Sequence, residues 1–186
     1  MKSKKFEFTA EPWNIINEQI EYKTKIFNLL KRDMIHKEEN QQGAFFTLDP
    51  PDWINVIALT EDEEIVLVEQ YRFGTQSVTL EIPGGMIDPG EQALETAKRE
   101  LLEETGYAGL HWESLGKVSS NPAIQTNYTH MYLATGCRKV QDQDLGEHEL
   151  INVHKVPINE FLELVEVGII HHALVVAAVG KYLLLR

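Results

Sequence analysis

The alternation of apolar and polar positions is partial at first and sharpens along the chain. Ile15 to Tyr22 alternates in part, Lys25 to Met34 carries Ile26, Phe27, Leu29, Leu30 and Met34, and Gly43 to Leu48 reads Gly-Ala-Phe-Phe-Thr-Leu. These runs predict strands between Trp13 and about Phe46, with a polar hairpin turn over Glu38 to Gly43. Residues 1–11 read as a loose polar start, and Pro50-Pro51-Asp52 as a stiff boundary. Beyond it, Trp53 to Leu59 and Glu64 to Gln70 form a hairpin around Thr60 to Glu63, and Val78 to Ile82 is a short strand ending at Pro83-Gly84-Gly85. Leu110 to Val118, His130 to Thr135 and Ile151 to Val156 are further strands. Pro157 opens a helix over Ile158 to Val167 that Gly168 ends, and a last helix with an apolar face covers His171 to Leu185. Strands mixed with a few helices predict an α+β fold, an α/β/α sandwich in which helices cover a mixed sheet. Residues 1–50 read as a β-rich N-terminal extension that could form a small antiparallel sheet, and residues 51–186 as the main domain.

The stretch Gly85 to Tyr107 breaks this pattern with chemistry. Asp88-Pro89-Gly90 is a turn, Glu91 to Thr105 are mostly strong helix formers, and Gly106 is a natural stop. On a helix Glu100, Glu103 and Glu104 are neighbours, at the border of the apolar stripe Ala93, Leu94, Ala97 and Leu101, while Glu95 and Lys98 point the other way. Like charges at this spacing repel by roughly 0.2–0.5 kcal/mol per pair on an isolated helix, and by more when partly buried. A divalent cation removes that cost. Crowded carboxylates suit hard Mg2+ or Mn2+ rather than zinc, and no Cys/His set accompanies them. An ordinary solvated acidic helix, with Glu95 and Arg99 as an i,i+4 pair, is the competing reading. The glycine framing and the apolar border weigh against it.

Composition narrows the partners. A net charge of −12 argues against nucleic acid. It leaves room for a small phosphate compound held by a metal and a few arginines. The one cysteine, Cys137, excludes an internal disulfide, fits a reducing compartment and reads as a small buried hydrophobe. The N-terminal Met-Lys-Ser-Lys-Lys has no apolar core after it, and no apolar run approaches a membrane span. The expectation is a cytoplasmic protein with no membrane partner. Arg72, at the end of a strand, has the planar fork that grips phosphate. Gln141 to Glu149 is an acidic loop whose composition alone reads as solvated, and His171-His172 line a pocket or simply start the last helix.

Gly85, Glu91, Arg99-Glu100, Leu101, Glu103-Glu104 and Gly106 stand at spacings that resemble the Nudix box, with Tyr107 where an aliphatic residue is usual. The box is the signature of hydrolases that cleave a nucleoside diphosphate linked to another moiety. The resemblance covers roughly Trp53 to Arg186, and the N-terminal strands are more loosely similar to the dimerising sheet of the family's ADP-ribose pyrophosphatase branch. Arg72, Glu81 before Pro83-Gly84-Gly85, and Pro122 resemble substrate-contacting and diagnostic positions of that branch. The run after Pro122, Ala123-Ile124-Gln125, departs from it and leaves base and sugar open.

The resemblance implies that Glu100, Glu103 and Glu104, with the Gly84 carbonyl and Glu149, hold Mg2+, with Mn2+ as a substitute. It implies that Glu147 or Glu149 is the general base, Glu147 slightly favoured and Glu149 nearer the metal, and that Arg99 pairs with Glu91. The implied reaction splits ADP-ribose or a related nucleoside diphosphate sugar into a nucleoside monophosphate and a sugar phosphate, in a homodimer. GDP-mannose, diadenosine polyphosphates and oxidised nucleoside triphosphates are alternative substrates. A non-catalytic nucleotide sensor is an alternative role, against which the complete glutamate set speaks. A plain interaction domain with an acidic helix is the third.

Overall fold

The computed structural model of the protein describes residues 7–185. Of the polar start read over residues 1–11, residues 1–6 lie outside the described residues. The chain divides into two compact units, one running to Pro50 and including Asn121–Thr126, the other made of Pro51–Ser120 and the chain from Asn127 onward.

The first unit is a three-stranded antiparallel sheet in the order β1 (Asn14–Lys23), β2 (Asn28–His36), β3 (Gln41–Asp49). Thr24 closes the first turn: its hydroxyl donates to the Phe27 carbonyl at 2.6 Å and accepts the Phe27 N–H at 2.9 Å. The loop Asn121–Thr126 joins this unit because Leu48 N–H donates to the Ile124 carbonyl and Thr126 N–H to the Leu48 carbonyl. Pro122 therefore belongs to this unit and not to the one that carries the acidic helix.

The second unit is an eight-stranded mixed sheet. Its strands are β4 (Trp53–Thr60), β5 (Glu64–Arg72), β6 (Ser77–Glu81), β7 (Gly84–Met86), β8 (Tyr107–Ala108), β9 (His111–Ser119), β10 (Tyr128–Lys139) and β11 (Ile151–Pro157). β4 and β10 pair in parallel, and the other neighbours antiparallel. The near-continuous apolar runs of β4 and β5 make sense because both faces of the sheet are covered. Ile54, Val56, Ala58 and Val66 pack with Ala97 and Leu101 of α1 (Ala93–Thr105). Ile57, Ile65 and Leu67 point the other way, onto Phe161 of α2 (Ile158–Glu166) and Val175, Ala178 and Val179 of α3 (Ala173–Leu184). This is the expected α/β/α sandwich. Cys137 is buried among apolar side chains, as expected, and burial pushes its thiol up to about 12. Among the described residues no helix is long and apolar enough to cross a membrane.

Two differences from the sequence pattern matter for the site. Gly84–Met86, expected as a loop, is a strand that pairs with Trp53–Asn55 of β4. α1 begins at Ala93 rather than Glu91, since the Glu91 N–H is held by the Asp88 carbonyl in the preceding turn.

Candidate active site

Four named elements and a loop converge on one cavity of about 830 Å3, a size typical of small-molecule sites. α1 supplies Arg99, Glu100 and Glu104; β5, β6 and β7 supply Arg72, Glu81, Gly84 and Gly85; the loop before β11 supplies Glu149.

α1 ends at Gly106, whose φ of 75° is the left-handed conformation that a helix C-terminus favours in glycine. A Cβ there would meet the Gln141 backbone. The last carbonyls of α1 are claimed by the acidic loop: Asp144 N–H donates to the Glu103 carbonyl at 2.9 Å, and Gln143 Nε2 to the Glu104 carbonyl at 2.7 Å. These bonds satisfy backbone acceptors that a helix end leaves open. They also tie the loop that carries Glu149 to the helix that carries the glutamates.

Arg99 organises those glutamates. Its Nε and Nη2 donate to the two oxygens of Glu91 at 3.1 and 3.0 Å, and its Nη1 donates to Glu100 at 2.9 Å and Glu103 at 3.0 Å. The Arg99 fork holds the Glu91 carboxyl down at about 2. The Arg99–Glu91 pairing is the one implied by the box; Glu95 pairs instead with Lys98 on the solvent side, at 2.8 Å.

Glu104 is 5% exposed and accepts the Gly84 N–H at 3.1 Å. Burial pushes its carboxyl up to about 8; the Gly84 N–H works against that, and the charge of Glu100 adds to it. Burial raises Glu100 as well, against the pull of Arg99. At Gly85 a Cβ would collide with the Glu100 carboxylate, whose Oε2 stands 2.8 Å from that position. The glycine lets the carboxylate lie directly on the backbone of β7. Among the described residues, no three His, Cys, Asp or Glu side chains stand ready-arranged around a common metal position. The donor set itself is all carboxylate oxygen, one of its members is buried with a single N–H for company, and like charges crowd it. That set fits a hard divalent cation.

Glu81 is 1% exposed at the cavity wall, where it is bonded by Arg72, Thr79 and His172. Of the loop glutamates, Glu149 lines the cavity and accepts the Gly146 N–H at 2.8 Å, whereas Glu147 is exposed and is not among the lining residues. Glu103 and Pro122 are not among them either. The sequence pattern passed over Gln143, the exposed Phe73 that lines the cavity, and Asn55, buried beside Gly84. A polar residue inside the apolar run of β4 was the signal available for Asn55; Gln143 and Phe73 gave none.

A family model described as the NUDIX domain matches residues 50–176. The methanol dehydrogenase activator of Bacillus methanolicus is 35% identical over 137 residues, which cover 73% of this chain and 74% of that protein. An ADP-ribose pyrophosphatase of Bacillus subtilis (strain 168) is 28% identical over 179 residues, 96% of this chain and 95% of that one. A crystal structure of an ADP compounds hydrolase superposes with a TM-score of 0.82 over 95% of each chain at 21% identity, a likeness of fold.

Proposed function

The chain belongs to the Nudix family and is a hydrolase of that family, and from that premise we propose that it cleaves the diphosphate of ADP-ribose or a related nucleoside diphosphate sugar. The products are a nucleoside monophosphate and a sugar phosphate. The observation that carries this reading is the meeting of Glu100, Glu104 and Glu149 with Arg72 along one cavity. The near full-length similarity to a protein named ADP-ribose pyrophosphatase supports the substrate class.

Of the residues that would hold Mg2+, or Mn2+ in its place, Glu100, Glu104, Glu149 and Gly84 with its carbonyl line the cavity, and Glu103, held beside Glu100 by Arg99, completes the set from the helix rim. When bound, the ion supplies positive charge against the diphosphate and lowers the cost of ionising water. Glu149 is the base that takes the proton of the attacking water, since it reaches the cavity and Glu147 does not line it. Arg99 ties Glu91 to Glu100 and Glu103 through one guanidinium and holds the latter two in register on one helix face. Arg72 keeps N–H donors beyond the two it gives to Glu81, and these suit a phosphate oxygen.

The test is a panel of ADP-ribose, GDP-mannose, diadenosine polyphosphate and an oxidised nucleoside triphosphate with Mg2+, scoring release of monophosphate. ADP-ribose or another nucleoside diphosphate sugar should give the highest kcat/KM. A chelator should abolish turnover and Mg2+ restore it. Glu104→Gln should lower kcat by about a hundredfold or more, and Glu149→Gln should cost far more than Glu147→Gln. Turnover that survives the chelator or Glu104→Gln contradicts the mechanism. A preference for the triphosphate contradicts the substrate class.

A further inference from the structure

Glu81 closes β6 at the cavity wall and is almost wholly buried. A buried carboxylate has to be paired. Arg72 donates to it twice, Nε to Oε1 and Nη2 to Oε2, each at 2.8 Å. Thr79 Oγ1 donates to Oε1 at 2.6 Å, and His172 Nδ1 lies 2.8 Å from Oε2. Each oxygen thus has two partners, which is about its capacity. No acceptor site remains for a ligand. What Glu81 offers the cavity is its two partners, Arg72 and His172, and both line it.

These partners differ in kind. The guanidinium already balances the carboxylate charge one for one. The Glu81 carboxylate only accepts, so His172 donates to it through Nδ1–H. In that tautomer Nε2 is a lone-pair acceptor. It has no hydrogen-bond partner among the described residues, and the side chain is 36% exposed in the cavity. Ionised phosphate oxygens have no proton to give it. A hydroxyl group does.

We propose that His172 is a specificity-determining residue that accepts a hydrogen bond from a sugar hydroxyl of the substrate through Nε2. Glu81 is the positioning residue that sets the ring tautomer and the Arg72 fork together. One buried carboxylate thus presents a donor suited to phosphate and an acceptor suited to hydroxyl. The inference rests on the nucleoside diphosphate sugar reading and narrows it to substrates whose hydroxyls are recognised.

Three probes test it: ADP-ribose, ADP-ribose lacking both hydroxyls of its adenosine ribose, and the β-methyl ester of ADP, which keeps the anhydride and has no second sugar. His172→Phe should lower kcat/KM for ADP-ribose by about ten- to a hundredfold, chiefly through KM. The ratio of ADP-ribose to at least one hydroxyl-poor probe should collapse by a similar factor, and His172→Gln, which keeps a carbonyl acceptor, should recover much of it. His172→Ala is read in the same way where the phenyl ring does not pack. A collapse against the methyl ester places the hydroxyl on the second sugar, and one against the other probe places it on the adenosine; either supports the proposal. Equal loss on all three probes, or no loss, overturns it. Wild-type protein that cleaves none of them overturns the substrate reading itself, so the two failures are told apart.

Discussion

Glu104 occupies a place that resists charge. It is 5% exposed, has the Gly84 N–H for a partner, and has the charges of Glu100 and Glu149 raising its cost of ionisation further. With its native value raised from an ordinary 4.5 to about 8, the native state keeps a proton that the unfolded chain has released. Stability is therefore full below the ordinary carboxylate value, falls as pH rises toward 8, and levels off above it. Glu91, held low by Arg99, and Glu81, where bonds from Arg72, His172 and Thr79 outweigh burial, have the opposite sign. Their stabilisation is complete above the ordinary value and adds no slope in this window. In chelator, urea unfolding should give a free energy lower at about pH 9 than at about pH 6 by on the order of 1–3 kcal/mol. Glu104→Gln should remove most of that difference. An unchanged pH slope in the variant would assign the effect elsewhere. Divalent cation should shrink the slope in the wild type, because it offsets the repulsion that burial amplifies.

At the level of elements, legibility followed periodicity. β4, β5 and β9 to β11 carry apolar runs or alternation long enough to show, and α1 carries its stripe, its acids and Gly106. β7 and β8 were not legible: Gly-Gly-Met and Tyr-Ala have no period, and they are strands because β4 and β10 offer them an edge. The glutamates of α1 were legible because their neighbours lie one turn away. The bond from His172 to Glu81 and the one from Gln143 to the Glu104 carbonyl were not, because they span 91 and 39 residues. β7 has its own test. A Cβ at Gly85 would strike the flexible end of Glu100, so Gly85→Ala should melt within a few degrees of wild type yet lose about tenfold or more of kcat/KM as the carboxylate is pushed off the strand. A Cβ at Gly84 would instead meet the Ile54 carbonyl at 2.5 Å, which cannot swing away. Gly84→Ala should therefore cost stability first. Equal melting temperatures and equal activities for the two variants would refute the distinction.

For the molecule as a whole, the N-terminal sheet stands out by the apolar surface it leaves exposed. β1 is exposed along its whole length and carries Ile15, Ile16, Ile20 and Tyr22, and β3 adds exposed Phe45 and Phe46. Monomeric proteins seldom leave so many large apolar side chains on one small sheet, and a three-stranded sheet with little core of its own gains from being covered. A second copy of the chain is the partner we propose, which makes the region up to Pro50 a dimerisation unit and the rest the hydrolase. A charge of −12 on each copy opposes that association. Salt screens the repulsion while leaving apolar burial intact. The dimer should therefore tighten as ionic strength rises, the reverse of an interface held by opposite charges. Light scattering at micromolar concentration should give twice the 21.3 kDa chain mass. Ile16→Glu combined with Ile20→Glu should give the single mass, because two buried carboxylates in an apolar contact cost several kcal/mol each unless paired. A wild-type monomer at every ionic strength, or a double variant that stays dimeric, would remove the N-terminal sheet from the assembly.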